Sequence, residues 1–137
     1  KIVHIIAGVA ALLTGCGNQD AQNTLDVHNK IVAAEKTYMS AAQLAIGGEN
    51  FQGLISANKQ YLQDVQNIDV SKCPDEYKQA MKGLENALSE VSGYLNGAGN
   101  AENIDPIKFQ ALQDARLNAT RNLNTVAETL GVTIIGP

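Results

Sequence analysis

The chain has 137 residues, 45% of them hydrophobic and 18% charged, which fits one globular domain and excludes a disordered segment or a two-domain protein. Aromatic residues make up only 4% and tryptophan is absent, so the core must be built mainly from Ala, Leu, Ile and Val. The net charge of −4 provides no basic surface for nucleic acid and no attraction to anionic lipid.

The amino-terminal segment has the order of a secretory signal. Lys1 precedes an apolar run over residues 2–13, which is too short to cross the roughly 30 Å hydrocarbon core of a bilayer as a helix. The run ends in Leu13-Thr14-Gly15-Cys16, which resembles the lipobox of bacterial lipoproteins. That resemblance implies that residues 1–15 are a cleaved signal peptide and that Cys16 is the lipid attachment site, with palmitate among the acyl chains. A short membrane anchor or a buried helix is the alternative.

Residues 16–23 follow as the lipidated cysteine and a polar tether, whose last seven residues reach at most roughly 25 Å. The domain is therefore expected to stay near the membrane. Among Gram-negative lipoproteins an Asp directly after the lipidated cysteine commonly retains the protein in the inner membrane, and Gly17 occupies that position here. The resemblance thus implies an outer-membrane protein that faces the periplasm.

Helical periodicity extends from residue 24 to residue 131, with breaks where Gly, Asn and Pro cluster. Four helices are predicted: the first from the cap Thr24 to Gly47, the second over about 51–68, the third opening at Pro74, and the fourth opening at Asp105 and ending at Gly131. The predicted apolar stripes are Val27, Ile31, Ala34, Tyr38, Ala41 and Ala45; Leu54, Asn58, Tyr61, Val65 and Ile68; Tyr77, Met81, Leu84, Leu88, Val91 and Leu95; and Phe109, Leu112, Arg116, Ala119, Leu123, Val126 and Leu130.

Four amphipathic helices of about twenty residues with short loops predict an all-α domain over 24–131, an antiparallel up-down-up-down four-helix bundle. An apolar tail over residues 132–137 follows the bundle. The tail either folds back over the end of the bundle or pairs with another chain, and the sequence leaves both open.

Cys73 is the one thiol that remains after acylation of Cys16, so no internal disulfide is expected. Its place at a helix start, just before Pro74, favours the thiolate, whereas Asp75 and Glu76 oppose it. We expect a buried or capping cysteine, with a free thiol used in redox chemistry or in an intermolecular disulfide as the alternative. The surrounding residues 70–80 resemble a Ser-x-Cys-Pro-x-x-aromatic-x-x-Ala stretch of small helical-bundle bacterial lipoproteins, which supports the fold and implies no activity.

Metal and haem sites of helical bundles need inward ligands on facing helices. His28 is the only histidine after the signal segment, and no Glu-x-x-His or Cys-x-x-Cys-His motif occurs. Haem ligation by His28 with Met39 or Met81 is the weaker alternative to a surface or half-buried histidine. We therefore predict no metal and no cofactor.

One polar cluster follows from counting along the helices. Asn58 and Arg116 occupy stripe positions about seven residues into their helices, and Tyr38 of the first helix falls near the same level, with Leu88 in the fourth position. The three polar residues could hold a small anionic ligand, because guanidinium suits carboxylate or phosphate. Alternatively they fix register, or Arg116 turns outward and Ala115 takes the core position.

No phosphate loop, nucleophile motif or paired-carboxylate motif appears in the sequence. We therefore expect a non-enzymatic, lipid-anchored envelope protein that acts as an interaction module for a protein partner. A bundle that binds a small ligand in its core is the alternative, and an assembly subunit that uses the tail is a third interpretation.

Overall fold

A computed structural model describes the backbone of residues 16–133 and the side chains of residues 19–133. The predicted signal peptide and the last four residues of the predicted tail lie outside the described residues. Four α-helices and one short 3-10 helix make up this part of the chain, which contains no strand, so the all-α prediction is confirmed. The elements are α1 (Cys16–Gly47), α2 (Phe51–Gln66), α3 (Asp75–Ala98), the 3-10 helix (Ala101–Asn103) and α4 (Pro106–Thr129).

Helix α1 begins earlier than the sequence predicts. It starts at Cys16 rather than at Thr24, so the segment predicted as a tether is helical. The physical reason is that Ala21 and Leu25 continue the buried stripe by one turn, and the side-chain amide of Asn23 donates a 3.2 Å hydrogen bond to the carbonyl of Lys72. The polar composition of this segment conceals that pattern.

The other helices begin close to the predicted positions because their caps are local. The Asn50 side chain accepts a 2.9 Å hydrogen bond from the Gly53 amide at the start of α2. The Asp105 carboxylate accepts from the amides of Ile107 and Lys108 at the start of α4. These bonds satisfy helix amides that would otherwise lack partners.

Contacts between helix ends define how the helices run. The Gln52 side chain of α2 donates a 3.1 Å hydrogen bond to the carbonyl of Gly99, just after α3. The Asp105 amide, just before α4, donates a 2.8 Å bond to the hydroxyl of Tyr94 in α3. We interpret these contacts as an antiparallel up-down-up-down order. We call the end that holds residues 48–50 and 99–105 the turn end, and the end that holds the start of α1 the N-terminal end.

The core is centred on α3, whose whole predicted stripe is buried with at most 1% exposure. Two helices bury neighbours of the predicted residues. In α1 Ala42 is buried rather than Ala41, and in α4 Thr120 and Ala127 are more deeply buried than Ala119 and Val126. Helix α4 packs chiefly on α3, with few contacts to α1, so its inward face is rotated by one residue from the apolar stripe.

The start of the predicted tail folds back over the N-terminal end. Val132 is only 4% exposed and belongs to the core, and its amide donates a 3.0 Å hydrogen bond to the carbonyl of Ala127. The chain makes this reversal through Gly131 at φ 94°, a conformation that glycine adopts readily.

Among the described helices, none combines the length and the apolar character that a membrane crossing requires.

Candidate functional site

The region between α1 and α4 is more polar than the apolar stripe of α3. We call it the polar seam and define it by His28, Glu35 and Tyr38 of α1 with Arg116 and Asn124 of α4. The Arg116 guanidinium carbon lies 5.3 Å from the centre of the Tyr38 ring, Arg116 acts electrostatically on Glu35, and the Asn124 side chain approaches His28. These interactions show that the polar faces of both helices meet.

Arg116 lies in the interior, where it is 9% exposed, while Ala115 is exposed. Its guanidinium covers the Tyr38 ring in a cation–π contact, and its Nε donates a 3.0 Å hydrogen bond to Gln113. The Nη1 atom is buried and has no hydrogen-bond partner. Because an unpaired buried donor is costly, this atom marks a place where a water or a polar ligand would be stabilised.

Tyr38 is stacked on Tyr61 of α2, with ring centres 4.9 Å apart. The Tyr61 hydroxyl is buried without a hydrogen-bond partner. Burial raises the pKa of Tyr61 well above its ordinary value, the Glu35 carboxylate raises this pKa further, and Arg116 opposes both effects. Tyr61 therefore stays protonated, and its hydroxyl can donate one hydrogen bond.

Asn58 lies on α2 one turn before Tyr61 and is 1% exposed. Its amide donates a 2.9 Å hydrogen bond to the carbonyl of Leu54, and its Oδ1 has no partner. The structure thus brings Tyr38 and Arg116 together as expected and adds Tyr61, whereas no hydrogen bond among the described residues joins Asn58 to Tyr38 or Arg116.

Glu35 is a member of the polar seam that sequence reasoning missed. Its half-buried position raises its pKa, and the positive charge of Arg116 lowers it in part. The signal that could have found it is spacing, since Glu35 falls seven residues after His28 and three before Tyr38 on one helix face. Glu35 and Arg116 thus place opposite charges in a poorly hydrated part of the bundle.

His28 is fully buried, contrary to the surface or half-buried position that we expected. Its Nδ1 lies 2.9 Å from the hydroxyl of Tyr77, and its Nε2 has no hydrogen-bond partner of good geometry. Burial lowers the pKa of His28 to about 4, although the Asn124 side chain offsets part of this effect. The ring is therefore neutral at pH 7.

The histidine is not part of a metal cluster in the described chain. Nowhere between residues 19 and 133 do three His, Cys, Asp or Glu side chains converge as a metal ion requires. Of the two methionines considered as haem ligands with His28, Met81 is buried and Met39 is 59% exposed.

Cys73 has a free thiol and is 4% exposed. Its Sγ lies 3.8 Å from the carbonyl oxygen of Asn23, to which the thiol donates a weak hydrogen bond. Burial raises the pKa of Cys73, the carboxylates of Asp69 and Asp20 raise it further, and Lys78 opposes them. The thiolate is disfavoured, which fits a packing cysteine better than a reactive one.

An apolar groove of about 420 Å³ lies at the turn end of the bundle. Ile46, one of the residues that line it, is 66% exposed, so part of the apolar wall is open to solvent. Sequence reasoning missed the groove because Ile46 lies off the buried stripe of α1. The residues that line it are Ala45, Ile46, Glu49, Asn50, Phe51, Leu54 and Ala101.

Comparisons of the chain with protein-family models, with curated proteins and with solved structures found no match.

Proposed function

We propose that the chain is a non-enzymatic, lipid-anchored protein of the bacterial cell envelope that binds a protein partner at the turn end. In this proposal Cys16 carries the lipid, and the protein is held at the outer membrane facing the periplasm. The observation that carries the proposal is the apolar groove, in whose wall Ile46 is 66% exposed. An apolar groove with a large exposed apolar side chain in its wall is typical of a protein interaction site.

The position of the groove supports a partner beyond the membrane surface. Helix α1 has 32 residues, which corresponds to a length of roughly 48 Å, and Cys16 and the groove lie at its opposite ends. A lipid on Cys16 would thus be attached at the end of α1 opposite the groove. Covering Ile46 with an apolar partner surface would contribute about 1.5 to 3 kcal/mol if the side chain becomes fully buried.

The chemistry of the interior favours binding over catalysis. The two side chains best suited to proton transfer or nucleophilic attack, His28 and Cys73, are both buried. The lowered pKa of His28 leaves it a poor base near neutral pH, and the raised pKa of Cys73 suppresses its thiolate.

The proposal is tested by placing a photo-crosslinking residue at Ile46 of the full chain in living bacteria. The matched control carries the same residue at Gln66, the exposed last residue of α2, which lies at the N-terminal end of the bundle. We expect an adduct with a defined envelope protein from position 46 only. The absence of an adduct, or equal adducts from both positions, would overturn partner binding at the turn end.

The anchor is tested separately with a Cys16→Ser variant. We expect the unaltered chain to sediment with membranes and to carry a diacylglycerol mass on its amino-terminal peptide. The variant should lose both properties. A variant that stays in the membrane fraction would show that Cys16 is not the anchor.

A small-ligand function is the second candidate, and it is favoured by one set of atoms. Arg116 Nη1, Tyr61 Oη and Asn58 Oδ1 are all buried without partners. The guanidinium and the hydroxyl are donors that suit an anionic group of a small molecule, whereas Asn58 Oδ1 is an acceptor and would need a donor group on the same molecule. Native mass spectrometry of the full chain would then show a mass that is lost on denaturation and is absent from Arg116→Leu. A bare chain would exclude this candidate.

A further inference from the structure

The groove at the turn end combines apolar walls with one acidic side chain. Ile46, Phe51 and Leu54 line it together with Glu49, and Ala101 closes it from the 3-10 helix. A volume of about 420 Å³ is large enough for a few side chains of a bound segment.

The position of Glu49 is fixed by a tight turn. Its backbone lies at φ 53°, in the left-handed region that glycine usually occupies, although Gly47 and Gly48 directly precede it. The Asn50 amide donates a 2.8 Å hydrogen bond to the carbonyl of Ala45, which holds the reversal in place. A side chain in this conformation is strained, and strained residues of this kind are concentrated at binding sites.

Close packing leaves the turn little freedom to relax. A Cβ atom added at Gly53 would lie 2.8 Å from the Asn50 Nδ2 atom and 3.2 Å from the Ala45 Cβ atom. Helices α1 and α2 therefore approach each other closely just beneath the groove. The carboxylate of Glu49 is presented by a backbone that is set before any partner arrives.

The charge of the groove is negative. Its lining contains no Lys or Arg, and the Glu49 carboxylate makes no ion pair or hydrogen bond among the described residues. Glu102 is exposed next to Ala101 and adds a second negative charge to this end. Asp105 differs, because its carboxylate is occupied in capping α4.

We propose that the groove binds a segment of the partner protein in which an apolar side chain lies beside a Lys or Arg. The apolar side chain fills the space between Ile46 and Leu54, and the cation meets Glu49. This inference rests on the proposed partner-binding function and adds the chemistry of the partner. An ion pair at the rim of an apolar contact selects the partner more than it strengthens binding.

The test is a selection of phage-displayed random peptides on the immobilised full chain in mild detergent, with counter-selection on the Ile46→Asp variant. We expect the enriched peptides to carry Lys or Arg next to an apolar residue. Glu49→Gln should weaken an enriched peptide about fivefold, and Glu49→Lys should weaken it more. The control Glu128→Gln should leave binding unchanged, because this exposed carboxylate lies in the last turn of α4, at the N-terminal end of the bundle.

Peptides without basic residues, peptides indifferent to Glu49→Gln, or no enriched peptide at all would overturn the inference. A dimer of the full chain that Ile46→Asp dissolves would overturn it as well, because a second copy would then be the occupant. The cellular crosslink from position 46 does not depend on peptide charge, so the proposed function survives these outcomes. Conversely, the selection still determines the chemistry of the groove if the crosslink fails.

Discussion

The interior of the bundle has two halves of opposite character. Along α3 every residue of the predicted stripe is an apolar or aromatic side chain with at most 1% exposure. Along the polar seam between α1 and α4, a histidine and an arginine are buried with unpartnered nitrogen atoms. The first half stabilises the fold through burial of apolar surface, whereas the buried polar groups of the second half lower its stability. This contrast indicates which substitutions should weaken the protein and which should not.

The largest effect is expected for Leu84→Ala in the middle of α3. Leu84 is completely buried, so its truncation leaves a cavity and should lower the free energy of unfolding by about 2 to 5 kcal/mol. Urea denaturation of the full chain measures this loss. The control is Leu44→Ala, whose side chain is 78% exposed and whose loss should stay below about 0.5 kcal/mol. Equal losses of unfolding free energy in Leu84→Ala and Leu44→Ala would contradict the distinction between core and surface.

The second effect is a dependence of stability on pH that arises from His28. Its pKa is about 4 in the folded chain against an ordinary value of 6.5, so the unfolded chain binds more protons between these values. Stability contributed by the neutral ring is complete above about pH 6.5 and is lost as the pH falls to about 4, by up to roughly 3 kcal/mol. Urea denaturation across this range should show the slope in the unaltered chain and a much smaller one in His28→Gln. If stability depended on pH equally in the unaltered chain and in His28→Gln, the slope would arise from groups other than His28.

The third effect concerns Arg116 in the polar seam. Replacing this buried cation with leucine removes an unpartnered donor, so Arg116→Leu should leave the free energy of unfolding unchanged or raise it by about 1 kcal/mol. Without Arg116 the raised pKa of the half-buried Glu35 rises further, so its carboxyl group can take up a proton instead of remaining as an unpaired charge. Arg121→Leu at an exposed position of α4 is the control. A loss of more than about 2 kcal/mol in Arg116→Leu alone would show that the seam stabilises the fold.

The smallest effect is expected at the turn end. Glu49→Gly relieves a left-handed conformation and should raise the free energy of unfolding by about 0.5 to 1 kcal/mol in thermal denaturation. The same change at Glu102 should lower stability, because that residue lies in the 3-10 helix and gains nothing from glycine. A destabilised Glu49→Gly variant would argue that the side chain supports the turn instead of serving the groove.

The sequence predicts the α3 half of the molecule well, because that helix shows both an uninterrupted stripe and a local start signal. The stripe that runs from Tyr77 to Leu95 was predicted as its buried face, and all residues of this stripe are buried. The predicted start of α1 was wrong. Gln19 and its polar neighbours conceal the buried stripe, which continues toward the start of the helix through Ala21 and Leu25. Propensity and composition cannot reveal that the loop before α3 covers this turn.

The polar seam was predicted only in part. Tyr38 and Arg116 could be aligned by counting turns in antiparallel helices, and they do meet. Spacing along α1 places His28 and Glu35 on the same face as Tyr38, but the extent of their burial depends on the neighbouring helices, such as α3, where Tyr77 packs against His28. The groove depends on the Glu49 backbone and on the close approach at Gly53, which no helical pattern encodes.

The unbroken course of α1 has a mechanical consequence. A flexible tether would let the domain range over a wide volume, whereas a continuous helix from Cys16 to Gly47 acts as a semi-rigid spacer. With lipid on Cys16, the groove would stay at a nearly constant distance of roughly 48 Å from the anchor instead of ranging over all shorter distances. A partner site at that distance from the anchor would meet the groove at a raised effective concentration, and a site closer to the anchor would be missed.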